Sequence, residues 1–163
     1  MNPRWALLVA LLTLTACAAH TRAGGSGSGS SPTGGPGAAS TGAVRDEPSY
    51  RLAIQISPAQ PVHAQAATLG LTVTAHQDLT LSFGTGQRFD FLVFRQGDAG
   101  TPAWRWSDGQ FFSQIVGTEH LTAGQEKAWT ASWTPAAAGA YHVKGMLKAL
   151  HVDMSVECTV TVT

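Results

Sequence analysis

The sequence is poor in charged residues and has no long apolar run. Only 12% of its 163 residues are charged, and ten Lys and Arg balance ten Asp and Glu to a formal net charge of zero. Because contacts with phosphates require an excess of Lys and Arg, this balance argues against nucleic-acid binding as the main function.

The longest apolar run is too short to cross a membrane. It extends from Trp5 to Ala16 and follows the positively charged Arg4. As a helix it would span about 18 Å, whereas the hydrocarbon layer of a bilayer is about 30 Å thick. A short apolar run after a basic residue is typical of a signal peptide, which we therefore assign to residues 1–16.

The end of this run resembles the lipobox of bacterial lipoproteins. The residues Leu14-Thr15-Ala16-Cys17 place small side chains before a cysteine, the residue that carries diacylglycerol in such proteins. Two or three acyl chains anchor a protein almost permanently. We therefore predict an exported, membrane-anchored lipoprotein of the outer membrane or cell surface, lipidated at Cys17. The alternative is an ordinary signal peptide that contains a cysteine.

Residues 17–49 are predicted to be a disordered tether that follows the lipidated cysteine. Positions 23–43 contain only Ala, Gly, Ser, Pro and Thr, which cannot build an apolar core. A Gly-rich coil of this length has a root-mean-square span of about 30 Å. The folded part is then residues 50–163, which is enough for one domain with one core.

This domain is predicted to be all-β. Short runs of alternating apolar and polar residues are separated by turn residues, and seven or eight such runs favour an immunoglobulin-like antiparallel β-sandwich. The run from Phe89 to Phe94 is apolar on both faces apart from Asp90, so it should be a central strand. In the last run, from Met154 to Val162, Cys158 shares the apolar face and should be buried.

Several short motifs follow one another along this domain. They are Phe83-Gly84-Thr85-Gly86-Gln87-Arg88-Phe89-Asp90-Phe91, Trp104-Arg105-Trp106-Ser107, Phe112-Ser113-Gln114, Leu121-Thr122-Ala123-Gly124, Trp133 and Gly139-Ala140-Tyr141-His142-Val143-Lys144-Gly145. Their order and spacing, from Thr68 to Leu147, resemble the BsuPI-type intracellular proteinase inhibitor family. The resemblance implies a β-sandwich that inhibits a subtilisin-like serine protease.

Most of the matching residues have a structural explanation. The large aromatic residues stand at alternating positions and should pack in the core. Tyr141 resembles a tyrosine corner, whose hydroxyl bonds to the backbone. Asp90 lies on an otherwise apolar strand and needs a partner if buried, for which Arg88 and Arg105 are candidates.

An inhibitor of a serine protease usually presents an extended loop to the cleft of the enzyme. The best candidate here is the stretch from Ser107 to Thr118, and a second is Gln96 to Pro102. The candidate partner-binding residues in the first stretch are Asp108, Phe111, Phe112 and Gln114. Phe112 is expected to pack inward, whereas Phe111 could point either way.

The sequence carries no signature of catalysis, metal binding or a cofactor. It has no Gly-x-Ser-x-Gly elbow, no phosphate-binding loop and no zinc-binding spacing of His or Cys. We therefore expect a non-enzymatic single domain without a cofactor or metal, which binds a serine protease or another envelope protein as a monomer. The alternative is a structural or adhesive envelope module that binds another protein or a glycan without inhibiting a protease.

Overall fold

The computed structural model describes residues 39–98 and 100–163, and the regular elements in this part of the chain are all β-strands. In chain order they are β1 (Thr41–Asp46), β2 (Tyr50–Ser57), β3 (Ala67–Ala75), β4 (Leu79–Phe83), β5 (Phe89–Arg95), β6 (Trp104–Arg105), β7 (Gly117–Leu121), β8 (Glu126–Trp133), β9 (Gly139–Leu147) and β10 (Met154–Val162). The predicted all-β class is therefore confirmed. The predicted signal peptide, Cys17 and the tether up to residue 38 lie outside the described residues.

The strands form a sandwich of two antiparallel four-stranded sheets. One sheet has the order β1-β2-β3-β8, the other has the order β10-β9-β5-β6, and β4 pairs with β7 separately. In the described part of the chain no helix is long and apolar enough to span a membrane. The inward side chains of the two sheets form one apolar core, whose removal from water stabilises the fold.

The core follows the alternation of the sequence. In β10 the residues Met154, Val156, Cys158, Val160 and Val162 are buried, while the residues between them face outward. The burial predicted for Cys158 is therefore confirmed. Phe91, on the central strand β5, is fully buried between the sheets.

Gly145 explains how the sheets close around Phe91. A β carbon at position 145 would lie 3.0 Å from Leu71 Cδ1 and 3.3 Å from both Ile54 Cδ1 and Phe91 Cε1. These contacts are tighter than packed side chains normally tolerate. The glycine therefore leaves the space that the phenylalanine ring and the facing sheet occupy.

The tyrosine corner predicted at Tyr141 is present. Its hydroxyl donates a hydrogen bond to the carbonyl of Ala137 at 2.8 Å. Its ring lies edge-to-face against Trp133, with 5.3 Å between the ring centroids. This contact joins β9 of one sheet to β8 of the other.

The predicted number of seven or eight strands is too low, because two of the ten strands lack an apolar alternation. β1 pairs along its whole length with β2, from Thr41 opposite Ile56 to Asp46 opposite Arg51, so the folded domain begins before the predicted boundary at residue 50. β7 contains polar residues and pairs with β4. Backbone pairing rather than burial defines both strands.

We expect residues 39–163 to fold without the preceding residues. All the strand pairings named above, and the apolar core between the sheets, lie within this stretch. Arg45 Nη1 on β1 donates hydrogen bonds to the carbonyls of Asp153 at 3.0 Å and Ser155 at 3.3 Å, which connects the edges of the two sheets. A protein that begins at residue 39 therefore retains the described domain.

We expect Glu157 to make the sandwich more stable at neutral than at acidic pH. Its carboxylate accepts from Lys144 Nζ at 2.9 Å and contacts His142 Nε2 at 2.8 Å, and the hydrogen bond from Lys144 is the main reason that the pKa of Glu157 lies below its usual 4.5. A lowered pKa contributes stability that is present above pH 4.5 and is lost as the pH falls through the folded-state pKa.

We expect Glu157→Gln to lower the free energy of unfolding at pH 7 by at most about 1 kcal/mol, because the ion pair is exposed. The difference between variant and wild type should shrink as the pH falls below 4.5. Urea titrations across this range measure it. A difference that grew on acidification would contradict the assignment.

Candidate functional site

The site is the loop between β6 and β7. It begins with a turn closed by a hydrogen bond from the N–H of Gln110 to the carbonyl of Ser107 at 3.1 Å. Gly109 has a φ of 77°, which glycine adopts without strain. Residues 110–116 then run without regular secondary structure up to the start of β7. We call residues 107–116 the β6–β7 loop.

This loop exposes three large apolar side chains. Phe111 is fully exposed at 102%, Ile115 is exposed at 71% and Val116 at 68%. Phe112, between them, is half-buried and packs on Trp106 with 5.7 Å between the ring centroids. The inward direction predicted for Phe112 is therefore confirmed, and Phe111 points outward.

Asp90 fixes the beginning of the loop. Only 5% of this residue is exposed, and its Oδ2 accepts from Ser107 Oγ at 2.8 Å. Its Oδ1 accepts from the backbone N–H groups of Phe91 at 3.0 Å and Ser107 at 3.2 Å. The candidate partners Arg88 and Arg105 are therefore wrong, because neutral donors from Phe91 and Ser107 bind this carboxylate.

Gly86 fixes the middle of the loop. Its N–H donates to the carbonyl of Ser113 at 2.7 Å, and a β carbon at position 86 would lie 2.6 Å from Ser113 Oγ. The turn before β5 can therefore approach the loop closely only with glycine here. In the described part of the chain, this is the single backbone hydrogen bond made by residues 111–116.

Arg88 fixes the end of the loop. Its guanidinium packs against the α carbon side of Gly117, where a β carbon would collide with Nη2. Nε of Arg88 donates to Glu119 Oε1 at 3.0 Å, and Nη1 donates to the carbonyl of Thr85 at 2.6 Å. Lys127 Nζ, on β8, lies 2.5 Å from Glu119 Oε2 and ties this cluster to the first sheet.

The connection between β9 and β10 lies beside this site. Leu150 and Val152 are exposed there, and the N–H of Leu150 donates to the carbonyl of Ser82 at 2.7 Å. A β carbon on Gly84 would lie 3.4 Å from Leu150 Cδ2. Five of the exposed apolar side chains therefore lie on neighbouring loops at one end of the sandwich.

The second predicted loop, Gln96 to Pro102, lies at the other end of β5. The N–H of Gln96 donates to the carbonyl of Ala140 at 2.9 Å, near the beginning of β9. The two predicted loops therefore cannot form one surface. None of the described residues from Gln96 to Pro102 is large, apolar and exposed.

The other surfaces of the described residues are less suited to a functional site. A shallow groove of about 380 Å³ lies on the outer face of the first sheet, beside Arg51 and Thr74, whose hydroxyl donates to Glu126 at 2.9 Å. Within residues 39–98 and 100–163, no group of three or more His, Cys, Asp or Glu could hold a metal ion.

The predicted site residues divide into two groups. Asp108, Phe111 and Gln114 are exposed, whereas Phe112 helps to hold the loop against the sandwich. The exposure of Ile115 and Val116 and the bonds of Ser107 and Ser113 were not predicted from the sequence. The positions of Asp90, Gly86 and Ser107 within the quoted motifs are the signal that could have revealed these bonds.

Fold and site together define a β-sandwich with an exposed apolar loop that hydrogen bonds and ring packing hold against the domain. The family model described as BsuPI, intracellular proteinase inhibitor, matches residues 52–152. The chain belongs to this family. The match begins within β2 and extends past the end of β9, so it includes the whole β6–β7 loop and the residues that hold it.

Comparisons with individual proteins add more distant similarities. No curated protein matches the chain significantly. Spo0M, a sporulation control protein from Bacillus subtilis, is 11% identical with a TM-score of 0.46, and the alignment covers 70% of this chain and 49% of that one. The chain thus spans about half the length of Spo0M. The C-terminal domain of wzt is 13% identical with a TM-score of 0.44, over 75% of this chain and 78% of that one.

Proposed function

We propose that this protein inhibits a subtilisin-like serine protease by placing its β6–β7 loop in the cleft of the enzyme, and that it does so from a lipid anchor in the cell envelope. The fully exposed ring of Phe111, on a loop held at both sides, is the observation that carries this proposal. Membership of a proteinase inhibitor family supports it.

The backbone of the loop is suited to pairing with an enzyme. Serine proteases bind extended segments, and main-chain hydrogen bonds to such an added strand supply affinity. Residues 111–116 leave nearly all their described backbone groups without an internal partner. These groups can therefore pair with the edge of a protease cleft without breaking bonds inside the domain.

The side chain of Phe111 is suited to an apolar specificity pocket. Large aromatic residues provide much of the energy of protein interfaces when they fill a pocket on the partner. A pocket lined by apolar groups accepts such a ring, whereas a pocket with an acidic base selects Lys or Arg. The loop therefore favours proteases that cleave after large apolar residues.

The fixed base of the loop lowers the entropic cost of binding. A loop that is already in its bound conformation loses less freedom on association than a flexible peptide does. Asp90, Gly86 and Trp106 hold the loop through contacts that do not involve Phe111. The exposed ring is thus presented by a scaffold that binding does not need to rearrange.

The direction of β1 is compatible with a tether that leaves the loop accessible. Thr41 lies opposite Ile56 and Asp46 opposite Arg51, so the chain enters the first sheet at the end remote from the turn between β1 and β2. Arg45 contacts Asp153, close to the β9–β10 connection that flanks the site. A membrane anchor at Cys17 would then hold the domain by its other end.

Titration of a subtilisin-like protease with residues 39–163 tests the inhibitory function. We expect a loss of proteolytic activity that reaches completion near one equivalent of the domain. Slow digestion of the domain with undiminished protease activity would reject inhibition and favour a non-inhibitory envelope module. Mass spectrometry of the exported full-length chain and of Cys17→Ser tests the anchor separately, because only the wild type should carry acyl chains.

A further inference from the structure

We infer that the protease cuts the peptide bond between Phe111 and Phe112 reversibly, and that the contacts on either side of this bond keep the two new ends in place until they rejoin. This inference deepens the proposed function and depends on it. It assigns Asp90 and Gly86 as positioning residues, which act on the loop without touching the protease.

The residues before the bond are held by Asp90. Its buried carboxylate accepts from both Ser107 Oγ at 2.8 Å and Ser107 N at 3.2 Å. The turn closed by Gln110 N–H then connects Ser107 to Phe111. Because none of these contacts involves the Phe111–Phe112 bond, they survive its cleavage.

The residues after the bond are held independently. Phe112 packs on Trp106, and the carbonyl of Ser113 accepts from Gly86 N–H at 2.7 Å. Gly117 is packed against the guanidinium of Arg88 at the start of β7. A chain that begins at a newly formed Phe112 amine would therefore remain seated on the sandwich.

The chemistry follows from the mechanism of serine proteases. The serine Oγ attacks the carbonyl carbon of Phe111, the bond to the nitrogen of Phe112 breaks, and the protease histidine gives its proton to the leaving amine. An ordinary product departs, and water then hydrolyses the ester. Here the amine stays beside the ester and can attack it, which restores the peptide bond and returns the proton to the serine without consuming water.

The contacts before and after the Phe111–Phe112 bond distinguish an inhibitor from a substrate. If the amine leaves the site, water completes the hydrolysis and the loop is destroyed. Loss of the Asp90 contact or of the Gly86 contact should therefore increase the rate of net cleavage while the sandwich remains folded. Inhibition would then become temporary, since the enzyme regains activity as the loop is consumed.

The test incubates residues 39–163 with a small molar fraction of a subtilisin-like protease and follows cleavage by mass spectrometry. We expect slow cleavage confined to the Phe111–Phe112 bond that stops at a constant ratio of intact to cut chain. Purified cut chain, mixed with fresh protease, should regain the intact bond up to the same ratio.

The variants Asp90→Ala and Gly86→Ala should be cleaved at least about tenfold faster and to completion, because each loses one hold on the loop. Ser107→Ala removes one bond from the loop side if Asp90→Ala does not fold. Asp90→Asn is the matched control, since its oxygen can accept both N–H groups and its amide can donate to Ser107 Oγ, and it should behave like the wild type.

The outcomes separate this inference from the proposed function. A wild type that does not inhibit at all overturns both. A wild type that inhibits but is not cut at Phe111–Phe112, or whose cut form does not rejoin, overturns only the inference. Folded Asp90→Ala, Ser107→Ala and Gly86→Ala variants that are cleaved as slowly as the wild type also overturn it.

Discussion

Phe111→Ala should weaken inhibition of a subtilisin-like protease by at least about 30-fold, or about 2 kcal/mol, without unfolding the domain. The ring is fully exposed, so its removal takes no packing from the core. If it fills an apolar pocket of the enzyme, its truncation leaves that pocket empty in the complex. Inhibition constants of the variant and the wild type measure the difference.

Val62→Ala is the matched control for this experiment. Val62 is another exposed apolar residue, and it lies between β2 and β3, outside the loops that form the site. We expect its inhibition constant to remain within a factor of about two of the wild-type value, and its free energy of unfolding to remain within about 0.5 kcal/mol. Equal inhibition by folded Phe111→Ala and wild-type domains would exclude Phe111 as the principal contact.

Phe91→Ala should produce the largest loss of stability, about 3–5 kcal/mol. Phe91 is fully buried, and its ring meets Phe89 edge-to-face with 5.7 Å between the centroids. The truncation leaves a cavity between the sheets, because Gly145 offers no side chain that could fill it. Domains of this size are typically stable by about 5–15 kcal/mol, so the variant should approach the limit of folding.

Phe94→Ala provides the comparison on the same strand. Phe94 faces away from the core, is half-buried, and lies 6.4 Å from the ring of His142. We expect a loss of about 1 kcal/mol, measured by urea unfolding followed through tryptophan fluorescence. Equal losses for the two variants would show that the outward and inward faces of β5 have been assigned incorrectly.

The parts of the fold that the sequence predicted well are those in which burial determines the pattern. The alternation in β10 predicted that Cys158 is buried. The sequence Gly139-Ala140-Tyr141 at the start of a strand predicted the tyrosine corner. β1 and β7 were missed because backbone pairing with a neighbour defines them, and such pairing leaves no apolar period in the sequence.

The candidate site was predicted in position but not in detail. The sequence identified the stretch after Trp106, because a turn follows an aromatic strand there. It also favoured the inward direction of Phe112. It left the direction of Phe111 open, because neighbouring phenylalanines differ only in the direction that the tertiary contacts impose. The cationic candidates for the partner of Asp90 were wrong, because Ser107 bonds to it from a loop whose path the sequence does not determine.

The motifs that carry the family resemblance describe the base of the site rather than its surface. Asp90 and Ser107 belong to two of these motifs and bond to each other, and Gly86 of the first motif bonds to Ser113 of a third. Phe111 and Ile115 lie outside the motifs and are exposed. The motifs therefore describe how the loop is held, whereas the exposed apolar residues lie between them.

A structure of the complex between residues 39–163 and a subtilisin-like protease tests the central claim most directly. We expect the stretch from Gln110 to Val116 to lie in the cleft as an added strand, with the ring of Phe111 in the specificity pocket. A complex in which another surface of the sandwich covers the enzyme, and the cleft does not contain this loop, would contradict the account.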